Sequence, residues 1–278
     1  MGLRINTNIP SLSAQRNLSA TKRNLNSNLR KLSSGERITR AADDAAGLAI
    51  SEKLKSQIRS IRQAKRNADD GISLIQTAEG GLSEVSNIII RLRELAVQAA
   101  SDTVGETERS FSDIEFQSLK DEIQRISQSS EFNGRKLLDG TGGMVEIQIG
   151  ANNDPFNDRL RYDASSILST LDSLGITGDT VSSKTGAQLS LKKLDDALVS
   201  VNGSRANLGA LQNRLQSVIT NLGVTEENFS EANSRIRDVD VASETAEMTK
   251  NNILNQAGIS VLAQANQAPN YALSLLQG

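Results

Sequence analysis

The sequence predicts a mainly α-helical protein: an elongated antiparallel bundle or coiled coil drawn from both chain ends, with a small β-hairpin region in the middle. Three observations carry this. The only prolines are Pro10, Pro155 and Pro269, which leaves long stretches free for helix. Aliphatic residues recur at alternating three- and four-residue steps over tens of residues in both halves of the chain. Strict alternation of apolar and polar residues occurs only between these halves.

Leu18, Leu25 and Leu32 repeat every seventh position with Leu29 alongside, so a helix is expected over 11–33 with Gly35 as its stop. Leu54, Ile58, Ile61, Lys65, Ala68, Ile72 and Ile75 continue into Ala78, Leu82, Val85, Ile89, Leu92, Ala96 and Ala99. This predicts one helix over 44–100, with a heptad slip at 72–75–78 and a bend near Gly80–Gly81. At ~1.5 Å per residue it would be about 80 Å long and would need an equally long partner. Phe116, Leu119, Ile123 and Ile126 predict a helix over 107–128, and Asn133-Gly134 a turn. Val145, Ile147 and Ile149 alternate with Glu146 and Gln148, which predicts a hairpin or small sheet within 143–163. Residues 165–187, rich in Ser, Thr and Gly, read as loop.

The second half mirrors the first. Leu191, Leu194, Leu198, Val201, Arg205 and Leu208, then Leu211, Leu215, Val218 and Leu222, predict a helix over 188–222 with a slip after Leu208 and an end at Gly223. The periodicity restarts at Phe229, and a last helix is expected to run to about Pro269. The terminal stripes at 12–32 and 253–276 are too thin to be buried within one chain, so they are expected to be interaction surfaces.

Composition narrows the function. The 278 residues hold no His and no Cys, which removes the commonest general base and metal ligand, any thiolate and any disulfide. Charged residues make up 23% with a net charge of −2, and no basic excess is clustered as a nucleic-acid surface requires. No apolar run is long enough to span a membrane. The opening MGLRINTNIPSLSAQRNLSA lacks an apolar core, so no secretory signal peptide is expected. The adjacent Asp43 and Asp44 could be a catalytic or metal-binding pair. The preferred reading makes one of them a helix N-cap and places the other at the positive end of the helix dipole. Asp69 and Asp70 read as a solvated helix face, and Arg91, Arg93 and Glu94 as exposed charges with local pairing. An assembly protein is thus favoured over an enzyme, with no cofactor and no metal.

Several motifs then resemble one family. INTN at 5–8, LSSGERITRAADDAAGLAI at 32–50, RNADDGISLIQTAEGGLSEVSNII at 66–89, RLRELAVQAA at 91–100 and FNGRKLLDG at 132–140 resemble the N-terminal half of bacterial flagellin. LGALQNRLQSVITNL at 208–222 and SRIRDVDVASETAEMTKNNILNQAGISVLAQANQAPNYALSLL at 234–276 resemble its C-terminal half. The resemblance implies a structural subunit that polymerises into the flagellar filament for swimming motility. It implies an inner coiled coil from 1–44 and 236–278, and an outer core domain from 45–235 carrying the hairpin. Only about 48 residues separate the two halves, so the large outer surface domains of longer flagellins should be missing.

By the same resemblance, Leu18, Leu25, Leu29, Leu32, Ile253, Val261, Leu262, Leu273 and Leu276 would form the inner subunit interface. Gly35, Arg37, Arg40, Asp43 and Asp44 would lie in the spoke between the two domains. Arg91, Leu95 and Glu115 would be candidates for subunit packing and for contact with Toll-like receptor 5. Implied partners are other copies of the chain, other flagellins, an export chaperone at the C-terminal segment, and cap and junction proteins, with neither nucleic acid nor membrane insertion. Export is implied to be in the unfolded state through the flagellar type III apparatus. The product would be extracellular, or periplasmic or sheathed in some bacteria. A hook–filament junction protein shares the terminal pattern and is the alternative within this superfamily, while a secreted enzyme on a helical scaffold is the alternative from another class.

Overall fold

A computed structural model describes the backbone of residues 7–276 and the side chains through residue 267. The chain divides into two compact units, one of Met1–Ser56 with Asn228–Gly278, the other of Gln57–Glu227. Among the described residues the regular structure is five long helices, one 3-10 turn at Ala164–Ser166 and two small antiparallel hairpins, with no large outer domain.

In the first unit, α1 spans Ile9–Ser34. The Asn8 side chain accepts a hydrogen bond from the Ser11 N–H, and Pro10 sits in the first turn, where a missing N–H costs nothing. Gly35 ends the helix in the left-handed region at φ 72°, and its N–H donates to the Lys31 carbonyl at 2.9 Å. This unit also holds the start of α2 (Ala45–Ala99), the end of α4 (Lys184–Arg237) and α5 (Val241–Leu276). Asp240 caps α5 by accepting from the N–H groups of Ala242 and Ser243. The expected stop at Pro269 does not occur, since α5 continues to Leu276.

The second unit is built on α2, α3 (Glu106–Ser129) and α4. Between α3 and α4, β1 (Glu131–Phe132) pairs with β2 (Arg135–Lys136), and β3 (Met144–Gln148) pairs with β4 (Arg159–Asp163). Asn133 and Gly134, at φ 50° and 77°, make the first hairpin's two-residue turn, as Asn-Gly chemistry favours. In the second hairpin Ile147 stands opposite Leu160 and both are buried, whereas Met144 at the open end is exposed.

The buried stripe of α2 differs from the one expected. It runs through Ile58, Ile61, Ala64, Ala68, Gly71, Ile75, Ala78, Leu82, Val85, Ile89, Leu92, Ala96 and Ala99, so Ala64 and Gly71 replace Lys65 and Ile72. The double-three step falls at 58–61–64, and none occurs at 72–75–78. At Gly71 the neighbour is the β3–β4 hairpin. A Cβ on Gly71 would lie 2.6 Å from the Ile147 Cδ1, so a larger residue would push that buried methyl aside, and Asn67 Nδ2 donates to the Gln148 carbonyl beside it. Likewise Gly81 marks no break. A Cβ there would meet Leu138 at 2.7 Å and Ser130 at 2.8 Å, so the glycine admits the fully buried Leu137–Leu138 segment.

On α4 the buried residues Ala187, Leu194, Val201, Leu208 and Leu215 keep strict seven-residue spacing, and the expected slip after Leu208 is absent. Gly223 does not end α4 either. One helical glycine costs only about 1 kcal/mol, and the Arg62–Glu226 ion pair at 2.6 Å ties the next turn to α2. The loop expected over 165–187 is shorter at both ends, because a 3-10 turn covers Ala164–Ser166 and α4 already begins at Lys184. Residues 167–183 are loop but contribute to the core through Leu174, Ile176 and Val181. The buried Lys120 on α3 holds them, donating to the carbonyls of Thr177 and Asp179 at 2.8 and 2.9 Å. Near the start of α3, the Arg109 guanidinium donates to the carbonyl of Ala99 at the end of α2 and to that of Ser101 in the following turn.

Phe116 is fully buried and Phe111, five residues earlier on α3, is 65% exposed. Phe116→Ala should therefore destabilise the second unit by about 3–5 kcal/mol, while Phe111→Ala should change stability by less than about 0.5 kcal/mol. Urea unfolding of the two variants followed by circular dichroism measures both.

Candidate assembly site

Helices α1 and α5 pack antiparallel along a seam with three- and four-residue steps on both sides. Ser11, Ala14, Leu18, Thr21, Leu25, Asn28 and Leu32 face it from α1, and Glu244, Met248, Asn251, Asn255, Gly258, Leu262 and Ala265 from α5. This is coiled-coil spacing with unusual contents. Most seam positions are small or polar, and Ser11, Asn28 and Asn251 are each only 7% exposed. Ser11 Oγ donates to Asn266 Oδ1 at 2.8 Å, Asn8 Nδ2 donates to the Ala265 carbonyl at 2.8 Å, and Lys31 pairs with Glu244 at 3.6 Å. Gly258 lets α5 close on Leu18, whose Cδ1 lies 3.2 Å from where a Cβ would be. Asn255 Oδ1 is buried there with no hydrogen-bond partner.

The larger aliphatic side chains mostly point the other way. Ile9, Leu12 and Leu29 on α1 and Ile253, Leu254, Ile259 and Val261 on α5 are between 47% and 61% exposed. The expected interface set therefore splits. Leu18, Leu25, Leu32 and Leu262 are half-buried in the seam within the chain, whereas Leu29, Ile253 and Val261 face outward. Leu273 and Leu276 lie outside the described side chains.

Beyond α1 the chain crosses a polar node. Gly35 O accepts from Val239 N at 3.0 Å, Arg37 N donates to Arg237 O at 2.6 Å, and Arg37 also donates from its side chain to Ile236 O at 2.5 Å. Arg237 is the centre of the node. Its side chain, 15% exposed, pairs with Glu36 at 2.8 Å and Glu52 at 2.5 Å, so one guanidinium ties three chain segments together. The hydrogen bonds it donates to Glu36 and then to Glu52 push its pKa further up. Ser51 Oγ, fully buried, donates to Asn233 Oδ1 at 2.8 Å on the same face.

The two aspartates have separate tasks. Asp44 caps α2, its Oδ1 accepting from Gly47 N at 2.8 Å. Gly47 is required there, since a Cβ would fall 2.4 Å from the Asp44 carboxylate and 2.8 Å from the buried Ile38. Asp43 does not sit at the helix dipole as expected. It folds back, and its Oδ2 accepts from Thr39 Oγ1, Thr39 N and Arg40 N at 2.9, 3.1 and 3.0 Å. The bond from the Thr39 hydroxyl, followed by those from the backbone, holds the Asp43 carboxyl below its ordinary value. Of the expected spoke residues, Arg40 joins the Asp43 turn through its backbone, and its charge also favours the Asp43 carboxylate.

In the second unit Arg91 bridges Glu94 at 2.9 Å and Glu115 on α3 at 2.8 Å. Exposed Ile90, Val97, Phe111 and Ile114 lie on the same two helices. Leu95 does not share that surface as expected. It is 2% exposed because its helical phase places it beside Leu92 and Ala96 in the core. Asp69 and Asp70 are exposed, and among the described residues no group of three or more acidic side chains is arranged to hold a metal ion.

Sequence reasoning missed Glu36, Glu52, Asn233, Arg237 and the Asn8–Ala265 contact. The charged SRIRDVD stretch was the available signal for Arg237, but its partners are nearly two hundred positions away.

Comparison with known proteins places these features in context. The model of the bacterial flagellin N-terminal helical region matches residues 5–142, and that of the C-terminal helical region matches residues 191–276. A flagellin of Halalkalibacterium halodurans is 47% identical over 275 residues, covering 98% of this chain and 99% of that protein. The flagellar filament 30.7 kDa core protein of Treponema maltophilum is 41% identical over 284 residues, covering 98% of this chain and 99% of its own. The crystal structure of Bacillus cereus flagellin, 34% identical, superposes with a TM-score of 0.50 over 56% of this chain and 88% of that one.

Because the folded pKa of Asp43 is depressed, its turn is stabilised above the ordinary carboxyl value of 3.8, and that contribution is lost as pH falls through the lower folded value. A carboxyl-detected NMR titration should place the Asp43 midpoint below 3.8, and Thr39→Val should move it up toward 3.8.

Proposed function

The chain belongs to the bacterial flagellin family and is a structural subunit of the flagellar filament, and from that premise we propose that its polymerising surface is the outward face of the α1–α5 pair. The observation that carries this is the inversion of the ordinary coiled coil: the seam within the chain is small and polar, while Ile9, Leu12, Leu29, Ile253, Leu254, Ile259 and Val261 face outward. Aliphatic faces of that size gain stability only when covered, and the covering chemistry available in a homopolymer is the same face of neighbouring copies. The inner domain is taken as 1–44 with 236–278 and the outer domain as 45–235. Gly35, Arg37, Arg40, Asp43 and Asp44 lie in the spoke joining them, stiffened by Arg237.

Export follows the same logic. A polar seam does not hold two helices together on its own, so the terminal segments can travel unfolded through the flagellar type III apparatus, with a chaperone on the C-terminal segment, and fold when neighbours cover them. The filament is then extracellular, with cap and junction proteins as further partners. Around Arg91 and Glu115, the exposed pair with Ile90 and Phe111 suits subunit packing, and the same patch on the free monomer suits Toll-like receptor 5. Leu95 supports that patch from beneath.

Seeding tests the central reading. Monomer added to sheared filament fragments should elongate them, and deletion of residues 253–278 should abolish elongation while the 57–227 unit stays helical by circular dichroism. Ile253→Ser with Val261→Ser should raise the critical concentration at least about tenfold, given ~1.5–3 kcal/mol for each aliphatic side chain buried. Unchanged elongation by either variant contradicts the outward-face assignment.

A further inference from the structure

Helix α5 runs through Pro269 to Leu276. A proline inside a helix has no N–H to give to the carbonyl four residues back, and its ring pushes that carbonyl aside. Here the carbonyl left over is that of Ala265, on the seam side of α5. A buried carbonyl without a donor is costly, so the helix should either fray before Pro269 or find a donor from elsewhere.

The donor comes from the opposite end of the chain. Asn8 Nδ2 donates to Ala265 O at 2.8 Å across 257 positions of sequence. The same amide's oxygen accepts from Ser11 N at 3.1 Å and so starts α1. Each half of one side chain therefore does the only task its chemistry permits: the oxygen caps one helix and the NH2 repairs the other. Next to it Ser11 Oγ, on a residue only 7% exposed, donates to Asn266 Oδ1 at 2.8 Å, and both contacts are half-buried.

We propose that Asn8 is the positioning residue for the outer end of the α1–α5 pair: by supplying the donor that Pro269 withholds, it selects the antiparallel register in which the two termini meet. Only one register brings the first turn of α1 level with the carbonyl freed by Pro269. The seam leucines Leu18, Leu25 and Leu32 recur every seventh position, a repeat that a one-heptad shift of α5 would also meet. Pro269 thus acts as half of a lock whose other half is Asn8, and the function of the lock is to align the outward aliphatics of both helices for polymerisation. The inference rests on the reading of this pair as the polymerising element.

A double-mutant cycle tests it. Asn8→Ser keeps an N-cap oxygen but lacks the amide donor. Pro269→Ala returns an N–H to α5, so that Ala265 O is bonded within its own helix. Seeded elongation is measured for the wild-type chain, both single variants and the double variant. Asn8→Ser should raise the critical concentration roughly tenfold, the size of one half-buried hydrogen bond left unmade. In the Pro269→Ala background the same substitution should change it by less than about threefold. Equal effects of Asn8→Ser in the two backgrounds, or no effect in either, overturn the proposal, because a cap role alone does not depend on residue 269. Failure of the wild-type chain to elongate is a separate result that removes the polymerising reading itself.

Discussion

The fold and function of the chain both depend on a shortage of apolar surface between α1 and α5. Two helices of 26 and 36 residues meet along a seam holding Ser11, Thr21, Asn28, Asn251, Asn255 and Gly258, with a few leucines between them. Ordering each residue costs about 1–2 kcal/mol of backbone entropy, and small polar contacts return little of it. The apolar surface that could return more is on the outside, on Leu12, Leu29, Ile253, Ile259 and Val261. A chain arranged in this way leaves aliphatic surface for other copies to cover, which suits a subunit of a polymer.

The polar groups of the first unit supply what its aliphatics cannot, namely specificity. Arg237 ties Glu36 and Glu52 together, Gly35 and Val239 pair their backbones, and Asp44 starts α2 where Gly47 allows Ile38 to approach. Such directional contacts add modestly to stability but permit few alternatives. They fix where the chain turns from α1 into α2 and from α4 into α5. Asp43 and Asp44 act in the same way: each carboxylate satisfies backbone donors that a tight turn and a helix start leave open.

The second unit follows the ordinary rules of a self-sufficient core. Phe116, Ile123, Leu82, Ile89 and Leu194 are fully buried, and Leu137, Leu138, Ile176 and Val181 from the connecting segments complete the packing. Lys120 and Arg109 act as donors for carbonyls in those connections, so a loop rich in Ser, Thr and Gly is held as firmly as a helix turn. Burial draws the Lys120 pKa down, and Asp179 and Asp113 partly offset this.

The sequence by itself determined which segments are helix, where the hairpin lies and that no catalytic apparatus of His or Cys could exist, because periodicity and residue chemistry are local properties. The family motifs added the filament role. What only the tertiary structure decided were matters of approach and pairing. A bend was expected near Gly80–Gly81, but Gly81, like Gly71, is a place where a neighbouring side chain comes close, Leu138 at Gly81 and Ile147 at Gly71. Pro269 looked like a stop and is spanned, because Asn8 supplies the missing donor. Leu95 looked like a surface residue by motif and lies in the core by helical phase. Arg237 could not be given its partners, since Glu36 and Glu52 reach it only when both ends of the chain return to one place. The physical reason is the same in each case. Local pattern shows which face of an element is apolar, but hydrogen-bond partners and close contacts belong to whatever the fold brings against that face.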